Sequence, residues 1–260
     1  MNWNDLYAQL PRRLAAGIPV FGREADGDWF DEEDVAQWRS GRLAASWQEP
    51  QLLQQPAARR LAEAAAAQEA CVIDLACGPG LGFLPTLNQL RPGLPAMAVD
   101  ANLTLLQEWQ QVLAELQVRH VAMTQCSLLA LPFREASVPA YTSMIGLSSV
   151  RGGEADYAQA LCEIYRTLVP GGRLYAVESE WLDVPSIVAL FDRLGWQLWD
   201  VFRREQHTWR ERFLQAGFTI LMEEEAERRF LTPEDNELGA AAHHLGVSVG
   251  QRRVAYILQK

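Results

Sequence analysis

Short apolar runs alternate with longer amphipathic stretches from residue 71 to the end of the chain. Apolar runs between turn residues are typical of buried strands, whereas apolar positions that recur every third and fourth residue indicate helices. Strands that alternate with helices are the pattern of βαβ units, which build a mostly parallel sheet with helices on both faces. The strands are predicted at about 71–76, 96–100, 118–124, 140–147, 173–179, 218–222 and 254–258.

Helices are predicted between most of these strands. One of them places Leu103, Leu106 and Leu113 on a single face. Another is ended by Val169-Pro170-Gly171-Gly172, because proline cannot continue a helix and glycine permits a reversal. The predicted helices cover about 103–116, 154–168, 185–199 and 205–216, followed by a short helix that opens at Thr232.

Residues 1 to about 68 contain no convincing strand. The acidic run from Asp31 to Asp34 indicates a helix start, since the helix dipole favours acids in the first turn. A helix over Leu52 to Ala67 is predicted, with a break or a new start at Pro56. Tryptophans of this region either anchor helices to the core or cover a ligand, and both alternatives stay open for Trp38.

Composition excludes several classes of function. The 260 residues carry a formal net charge of −10, which argues against a nucleic-acid partner because phosphate binding needs a basic face. No apolar run approaches the length of a membrane span, and the first residues lack a secretory signal. The four cysteines form no C-x-x-C pair and the histidines show no metal spacing. We therefore expect a cytoplasmic protein with no metal, no membrane partner and a small-molecule ligand.

A glycine-rich turn follows the first strand. The run Val72 to Leu75 contains an acid, Asp74, and is followed by Gly78-Pro79-Gly80-Leu81-Gly82. Glycines are needed where a backbone bends sharply against a ligand. The second strand ends in Asp100, whose carboxylate can accept hydrogen bonds from two ribose hydroxyls. These features predict a pocket for a nucleoside-bearing cofactor, although a plain strand-to-helix turn and an N-capping role for Asp100 stay open as alternatives.

The same pattern resembles motif I of the class I S-adenosylmethionine-dependent methyltransferases, in which an acid precedes x-G-x-G-x-G. Three further segments resemble stretches of that family in the expected order. They are Leu131-Pro132-Phe133 after the third strand, Arg166 to Gly172 before the fifth and Leu214 to Phe218 before the sixth. The resemblance covers roughly residues 68 to 260.

The resemblance implies a doubly wound α/β fold with a seven-stranded, mostly parallel sheet. Its strand order would be 3-2-1-4-5-7-6, with the last strand antiparallel. Residues 1–67 would then form an N-terminal helical cap that closes over the site, and residues 68–260 would form the methyltransferase domain.

The cofactor implied is S-adenosylmethionine, with S-adenosylhomocysteine as product. Asp74 would lie near the methionyl amino group, Asp100 would bind the ribose, and Ala101 and Asn102 would border the adenine. The backbone at Gly78 and Gly80 would pass beneath the cofactor. The complete set of expected cofactor-binding residues is Asp74, Ala76, Gly78, Gly80, Asp100, Ala101, Ser127, Leu128 and Gly146.

Three positions depart from the family pattern. Ala76 stands where glycine is common. Ser127 stands where an acid commonly contacts the adenine amino group, and a hydroxyl accepts that bond more weakly. The run Ser137-Val138-Pro139-Ala140-Tyr141 enters the fourth strand without the Phe-Asp pair that the family usually has there.

The acceptor side carries fewer signals. Methyl transfer from a sulfonium needs orientation and exclusion of water more than a dedicated base. Glu178, Glu180 and His207 are candidates for a proton-accepting residue, and each has a plain structural alternative. Ser148 and Trp181, together with Trp38, are candidates to face a small apolar or aromatic acceptor.

Two other functions stay open at this point. A nicotinamide-dependent oxidoreductase would more often show G-x-G-x-x-G than the G-x-G-x-G present here. A methyltransferase-like module that binds the cofactor without turnover would be compatible with the departures at Ser127 and Pro139.

Overall fold

Nine strands form one mixed sheet in the computed structural model, which describes residues 3–23, 32–199, 201–202 and 207–260. Their order across the sheet is β1-β2-β5-β4-β3-β6-β7-β9-β8. The strands are β1 Arg13–Ala15, β2 Ile18–Val20, β3 Val72–Leu75, β4 Ala96–Asp100, β5 Val121–Gln125, β6 Val138–Met144, β7 Leu168–Leu182, β8 Thr219–Phe230 and β9 Gly250–Gln259.

The sheet is parallel at its centre and antiparallel at both ends. Strands β5, β4, β3, β6 and β7 are parallel neighbours, whereas β9 runs antiparallel to both β7 and β8. The mixed α/β fold with a mostly parallel sheet is therefore confirmed. The predicted count of seven strands is wrong, because β1 and β2 continue the sheet beyond β5.

The two additional strands belong to the region expected to form the N-terminal helical cap. They form a hairpin whose two-residue turn has positive φ at Ala16 (+50°) and Gly17 (+87°), as tight hairpin turns require. Strand β2 then lies parallel to β5, with Val20 opposite Gln125. The prediction of no strand before residue 68 is wrong, since three-residue strands are too short to show an alternating pattern.

Helices cover both faces of the sheet. A π-helical stretch, Trp38–Arg42, joins the first two helices and bends at Gly41, where φ is +98°. The expected start at Asp31 lies outside the described residues. The helices are α1 Glu32–Gln37, α2 Leu43–Gln48, α3 Pro56–Gln68, α4 Leu84–Leu90, α5 Leu103–Glu115, α6 Glu154–Thr167, α7 Val184–Leu194, α8 Trp209–Gln215 and α9 Glu237–Leu245.

Strands β8 and β9 are longer than predicted. The apolar signal of β8 fades after Met222, but the strand continues through a charged segment to Phe230. In this extension Glu227 of β8 forms a cross-strand ion pair with Arg253 of β9, at 2.8 Å. Their opposite charges face each other across the ladder, so the charged segment is compatible with a strand.

Capping residues set the ends of the last three helices. Helix α7 stops before Gly195, which has φ +66°, and therefore ends earlier than predicted. Helix α8 begins after Thr208, whose hydroxyl and the Glu211 carboxylate form a reciprocal capping box. Helix α9 begins after Asn236 rather than at Thr232, because the Asn236 side chain accepts from Gly239 N.

Two apolar clusters lie on opposite faces of the sheet. Alternation along β3 divides its side chains, with Val72 in one cluster and Ile73 and Leu75 in the other. Trp38 and Trp47 of the N-terminal helices are buried in the first cluster, at 3% and 6% exposure. These two tryptophans anchor their helices to the core. The division of the chain into a cap over 1–67 and a domain over 68–260 stays a prediction.

Candidate functional site

A cavity of about 350 Å³ opens at the carboxyl ends of β3, β4, β5 and β6. This is the edge where parallel strands of a doubly wound sheet present their loops to ligands. Seven of the nine expected cofactor residues line the cavity, whereas Asp74 and Gly80 do not. The seven are Ala76, Gly78, Asp100, Ala101, Ser127, Leu128 and Gly146.

The glycine loop bends sharply as it leaves β3. Ala76 has φ +46° and Gly78 has φ +58°, so both lie in the left-handed region that glycine adopts without strain. This geometry gives a physical reason why glycine is common at the position of Ala76. A Cβ built on Gly78 or Gly80 would meet no heavy atom within 4 Å. The backbone of the loop is therefore open to a ligand.

A buried tryptophan fixes this loop from below. Trp109 of α5 is completely buried, and its indole Nε1 donates a hydrogen bond of 3.2 Å to the carbonyl oxygen of Gly78. The sequence indicated only an apolar face for this helix. A carbonyl partner of the indole N–H could not be inferred from the helical period, because it depends on how α5 packs against the loop.

Asp100 lies at the cavity wall and is 8% exposed. Its Oδ2 accepts from Gly78 N and its Oδ1 accepts from Asn102 N, both at 2.9 Å. The Cys77 thiol also donates to Oδ2, at 3.9 Å. A carboxylate has about four acceptor positions, so these three contacts leave room for a further donor. Burial raises the pKa of Asp100, against the effect of the donating backbone N–H groups. Asn102, and not Asp100, is the N-cap of α5, accepting from Leu105 N at 2.8 Å.

Asp74 is fully buried and lies beneath the loop. Its Oδ1 accepts from the hydroxyl of Thr142 at 2.5 Å and from Phe83 N at 3.3 Å. Its Oδ2 has no hydrogen-bond partner among the described residues, and Gly82 packs against it. Burial raises the pKa of Asp74 to about 7. In this structure Asp74 supports the loop, and its predicted contact with a methionyl amino group stays a prediction.

Ser127 and Gly146 border the cavity from the loops after β5 and β6. The Ser127 hydroxyl accepts from Leu129 N at 3.2 Å, which fixes the turn after β5. A Cβ on Gly146 would lie 2.7 Å from the carbonyl oxygen of Leu75 and 2.9 Å from Ser143 Oγ. Only glycine fits there, because the loop after β6 lies directly against the end of β3.

Glu178 organises the turn after β6 from the interior of the protein. Its carboxylate is fully buried and accepts from the hydroxyls of Ser143 and Ser148, each at 2.7 Å, and from the backbone N–H groups of Leu147 and Ser148. Burial raises the pKa of Glu178. Ser148 is thus a partner of Glu178, and neither residue lines the cavity in the described part of the chain.

Glu180 and His207 also lie away from this cavity. Glu180 accepts from Trp209 N at 2.7 Å at the start of α8 and pairs with Arg252 at 2.7 Å. His207 is 3.5 Å from Glu154, beside a separate cavity of about 830 Å³ between α6 and α8. Both residues therefore have structural partners. Neither lines the described part of the cavity beside Asp100, hereafter the Asp100 cavity, where a proton acceptor would have to lie.

The two tryptophans expected to face substrate have different surroundings. Trp38 is buried in the core cluster described above. Trp181 packs edge-on against Phe202, with ring centroids 4.9 Å apart, in a small satellite cluster with α7 and α9. Neither ring lines the described part of the cavity.

We call the cavity wall that follows β6 the far wall, and several of its residues were missed by the sequence analysis. Ile145 and Val150 supply apolar surface there, while Arg151 and Asp156 supply charge. Ile145, Val150 and Arg151 lie between β6 and α6, and Asp156 lies in the first turn of α6. The order of strands brings this segment over the ends of β3 and β6, and such a placement is tertiary information.

The described residues offer neither a metal cluster nor a membrane-spanning helix. They contain no group of three or more His, Cys, Asp or Glu side chains placed to hold a metal ion. No helix in the described ranges has the length and apolar character needed to cross a bilayer. Cys71, Cys77 and Cys126 are buried free thiols, whereas Cys162 is exposed.

Known proteins share both the sequence pattern and the fold. The model of the ubiE/COQ5 methyltransferase family matches residues 47–201, more than half of the chain. The chain is 30% identical over 201 residues to a demethylmenaquinone methyltransferase of Lactiplantibacillus plantarum, which covers 69% of this chain and 79% of the relative.

Two solved structures have a similar fold. A geranyl diphosphate methyltransferase in complex with S-adenosylmethionine gives a TM-score of 0.56 at 14% identity, covering 98% of this chain and 97% of that one. A methyltransferase from Bacillus halodurans C-125, described as putative, gives 0.55 at 15%, covering 78% and 98%. The family match sets aside a nicotinamide-dependent oxidoreductase and a module without turnover. The chain belongs to the ubiE/COQ5 methyltransferase family and is an S-adenosylmethionine-dependent methyltransferase that acts on a small molecule.

Proposed function

We propose that this methyltransferase binds S-adenosylmethionine in the Asp100 cavity and methylates an aromatic ring of the demethylmenaquinone kind. One observation carries the proposal. Every residue that lines the described cavity falls between Ala76 and Asp156, inside the segment 47–201 that matches the family model. The whole lining of this cavity therefore lies within the segment that matches the family, as expected when the cavity holds the cofactor that the family shares.

The residues at one end of the cavity suit a nucleoside. The Asp100 carboxylate at the cavity wall would accept from the ribose hydroxyls, and the open backbone at Gly78 would lie against the cofactor. Ala101 and Leu128 would border the adenine, and the Ser127 hydroxyl would accept from its amino group. Gly146 and the turn at Ala76 would border the methionyl part.

Asp74 requires a movement before it can serve as predicted. Its carboxylate is fully buried, lies against Gly82 and does not line the cavity in this structure. A shift of the loop at 78–82 would expose the unpartnered Oδ2 to a methionyl ammonium group. A buried acceptor without a donor is unfavourable, so such a partner would relieve the cost of burying it.

The identity of the acceptor is inferred from a relative and from the lining of the far wall. The Lactiplantibacillus plantarum relative, at 30% identity, is a demethylmenaquinone methyltransferase. Ile145 and Val150 give the far wall an apolar surface that suits a flat aromatic ring and excludes water. When bound, S-adenosylmethionine supplies an electrophilic methyl group. The protein would hold the ring carbon in line with that group, and such orientation is worth roughly 7–11 kcal/mol.

We further propose a cytoplasmic enzyme without a nucleic-acid partner. The formal net charge of −10 supports this proposal, because polyanions are repelled by an acidic surface. The expectation of no membrane partner stays a prediction.

Ligand binding tests the cofactor assignment first. Thermal unfolding is followed with S-adenosylhomocysteine, S-adenosylmethionine and nicotinamide dinucleotides. A ligand at 100 times its dissociation constant adds about 2.7 kcal/mol to the free energy of unfolding. We expect a rise in Tm with the two adenosyl compounds alone. A rise with the nicotinamide compounds alone would overturn the proposed function.

Turnover tests the acceptor assignment. The enzyme is incubated with methyl-deuterated S-adenosylmethionine and a reduced demethylnaphthoquinone that carries a short prenyl chain. We expect mass spectrometry to place the label on a ring carbon. Label on oxygen, or turnover only with acceptors that lack an aromatic ring, contradicts the assignment.

A further inference from the structure

A buried glutamine joins the N-terminal strand pair to the cofactor cavity. The side chain of Gln125, at the end of β5, is 1% exposed. Its Oε1 accepts from Gly22 N at 2.9 Å, and its Nε2 donates to the carbonyl oxygen of Ala101 at 2.8 Å. One amide therefore contacts both the segment after β2 and the loop after β4.

The surroundings of Gln125 strengthen this connection. In the sheet, Gln125 lies opposite Asp100 on β4 and opposite Val20 on β2. The backbone N–H of Phe21 also donates to the carbonyl oxygen of Gln125, at 2.9 Å. A Cβ on Gly22 would lie 2.8 Å from Nε2, so the backbone at Gly22 is pressed against the amide.

We propose that Gln125 is a positioning residue through which the segment 18–22 helps to hold the cofactor site in its binding geometry. By holding the Ala101 carbonyl, it fixes the loop that follows Asp100 and so the direction of the Asp100 carboxylate. Ala101 and Asp100 both line the cavity, whereas Gly22 and Val20 precede the segment that matches the family model. The strand pair added to the sheet thus acts on the nucleoside end of the site through one side chain. The inference rests on the proposed function.

The experiment compares variants that break one or both arms of this connection. Gln125→Met removes both hydrogen bonds at similar volume, Gln125→Glu removes only the donor to Ala101, and Gly22→Ala displaces the amide. Gln110→Leu is the control. The Gln110 amide donates at 3.1 Å to the carbonyl oxygen of Ala16 in the turn between β1 and β2, and Gln110 does not line the cavity. Titration calorimetry measures the dissociation constants of S-adenosylhomocysteine and adenosine, and thermal unfolding is followed without ligand.

We expect both Gln125 variants to weaken S-adenosylhomocysteine roughly 5- to 10-fold, which corresponds to the loss of one buried hydrogen bond. Adenosine should weaken by the same factor, because the effect lies at the nucleoside end. Gly22→Ala should act in the same direction, and Gln110→Leu should leave both constants unchanged.

The outcomes separate this inference from the proposed function. Wild-type protein that binds no adenosyl compound contradicts the proposed function. Wild-type binding together with unchanged affinity in Gln125→Met overturns the inference alone, even when the Tm of the variant falls. An equal loss in Gln110→Leu would also overturn it, since it would show that any weakening of the N-terminal strand pair has this effect.

Discussion

The Asp74 carboxylate lies directly against Gly82, so that a side chain at position 82 would overlap Oδ2. Gly82 also has φ +49°. The third glycine of the motif is therefore required by contact within the protein, whereas Gly78 and Gly80 face open space. One short motif thus combines a packing requirement at Gly82 with an open backbone surface at Gly78 and Gly80.

Gly82→Ala should be strongly destabilising. The left-handed conformation costs an L-residue about 1–2 kcal/mol, and forcing a methyl group against a buried carboxylate costs a further 1–3 kcal/mol or so. Urea denaturation should show a free energy of unfolding lower by about 2–5 kcal/mol. Gly80→Ala is the matched control, because its Cβ would meet no atom within 4 Å, and it should unfold near the wild-type midpoint. Equal midpoints for Gly82→Ala and the wild type would refute this packing.

Asp74 should make the ligand-free protein less stable as pH rises. Its pKa of about 7 lies above the ordinary value of 3.8, so the folded state favours the protonated form. This contribution is complete below about pH 4 and is lost as pH rises through about 7. Asp74→Asn is neutral throughout, so its Tm relative to the wild type should increase between pH 5 and pH 8. Each kcal/mol of stability that the wild type loses over this range corresponds to a fall of about 2–4 °C in its Tm.

The exposed Asp192→Asn removes the same charge from the surface of α7 and serves as control. Its Tm relative to the wild type should be nearly constant over this range. A constant difference for Asp74→Asn as well would show that Asp74 is ionised throughout.

Asp100→Asn tests the ribose assignment. The amide keeps the size of the side chain but replaces one acceptor oxygen by a donor, and hydrogen bonds to a charged group contribute about 1.5–3 kcal/mol. We expect calorimetry to show S-adenosylhomocysteine binding weakened by at least about tenfold. Asp192→Asn should bind as the wild type does. Unchanged affinity in Asp100→Asn would remove the ribose assignment.

Glu178→Gln separates a structural role from a catalytic one. The buried carboxylate accepts from four donors, and an amide nitrogen would turn one of these contacts into a clash of two donors. We expect the free energy of unfolding to fall by about 1–3 kcal/mol. Activity at a temperature well below the Tm should fall mainly with the folded fraction. A large loss of kcat at unchanged Tm would instead make Glu178 a catalytic residue.

Local signals were sufficient for the centre of the fold and for one side of the site. Strand β4 has its predicted bounds, since a buried parallel strand is a continuous apolar run. Asp100 and Gly78 meet because the ends of adjacent parallel strands share one edge of the sheet. These relationships follow from short-range patterns and a simple topology.

The remainder depended on long-range packing. Strand β2 is defined by its pairing with β5, more than a hundred residues later in the sequence. Glu178 lies near the end of the predicted fifth strand, where an acid is typically exposed, but in the structure the residues at and after the end of β6 surround it with donors. Arg151 and Asp156 reach the cavity because β6 lies next to β3. No periodicity in the sequence contains this information.

Ala76 and Ile145 leave neighbouring strands through the same left-handed bend, with φ +46° and +59°. For a branched side chain such as Ile145 this conformation is a true outlier, and its energy must come from the rest of the fold. The part of the cavity lining formed by Ala76 and Ile145 is therefore under conformational strain. Ile145→Gly would relieve this strain and would also remove apolar surface from the cavity. The variant should therefore have a higher Tm but bind a flat acceptor less well.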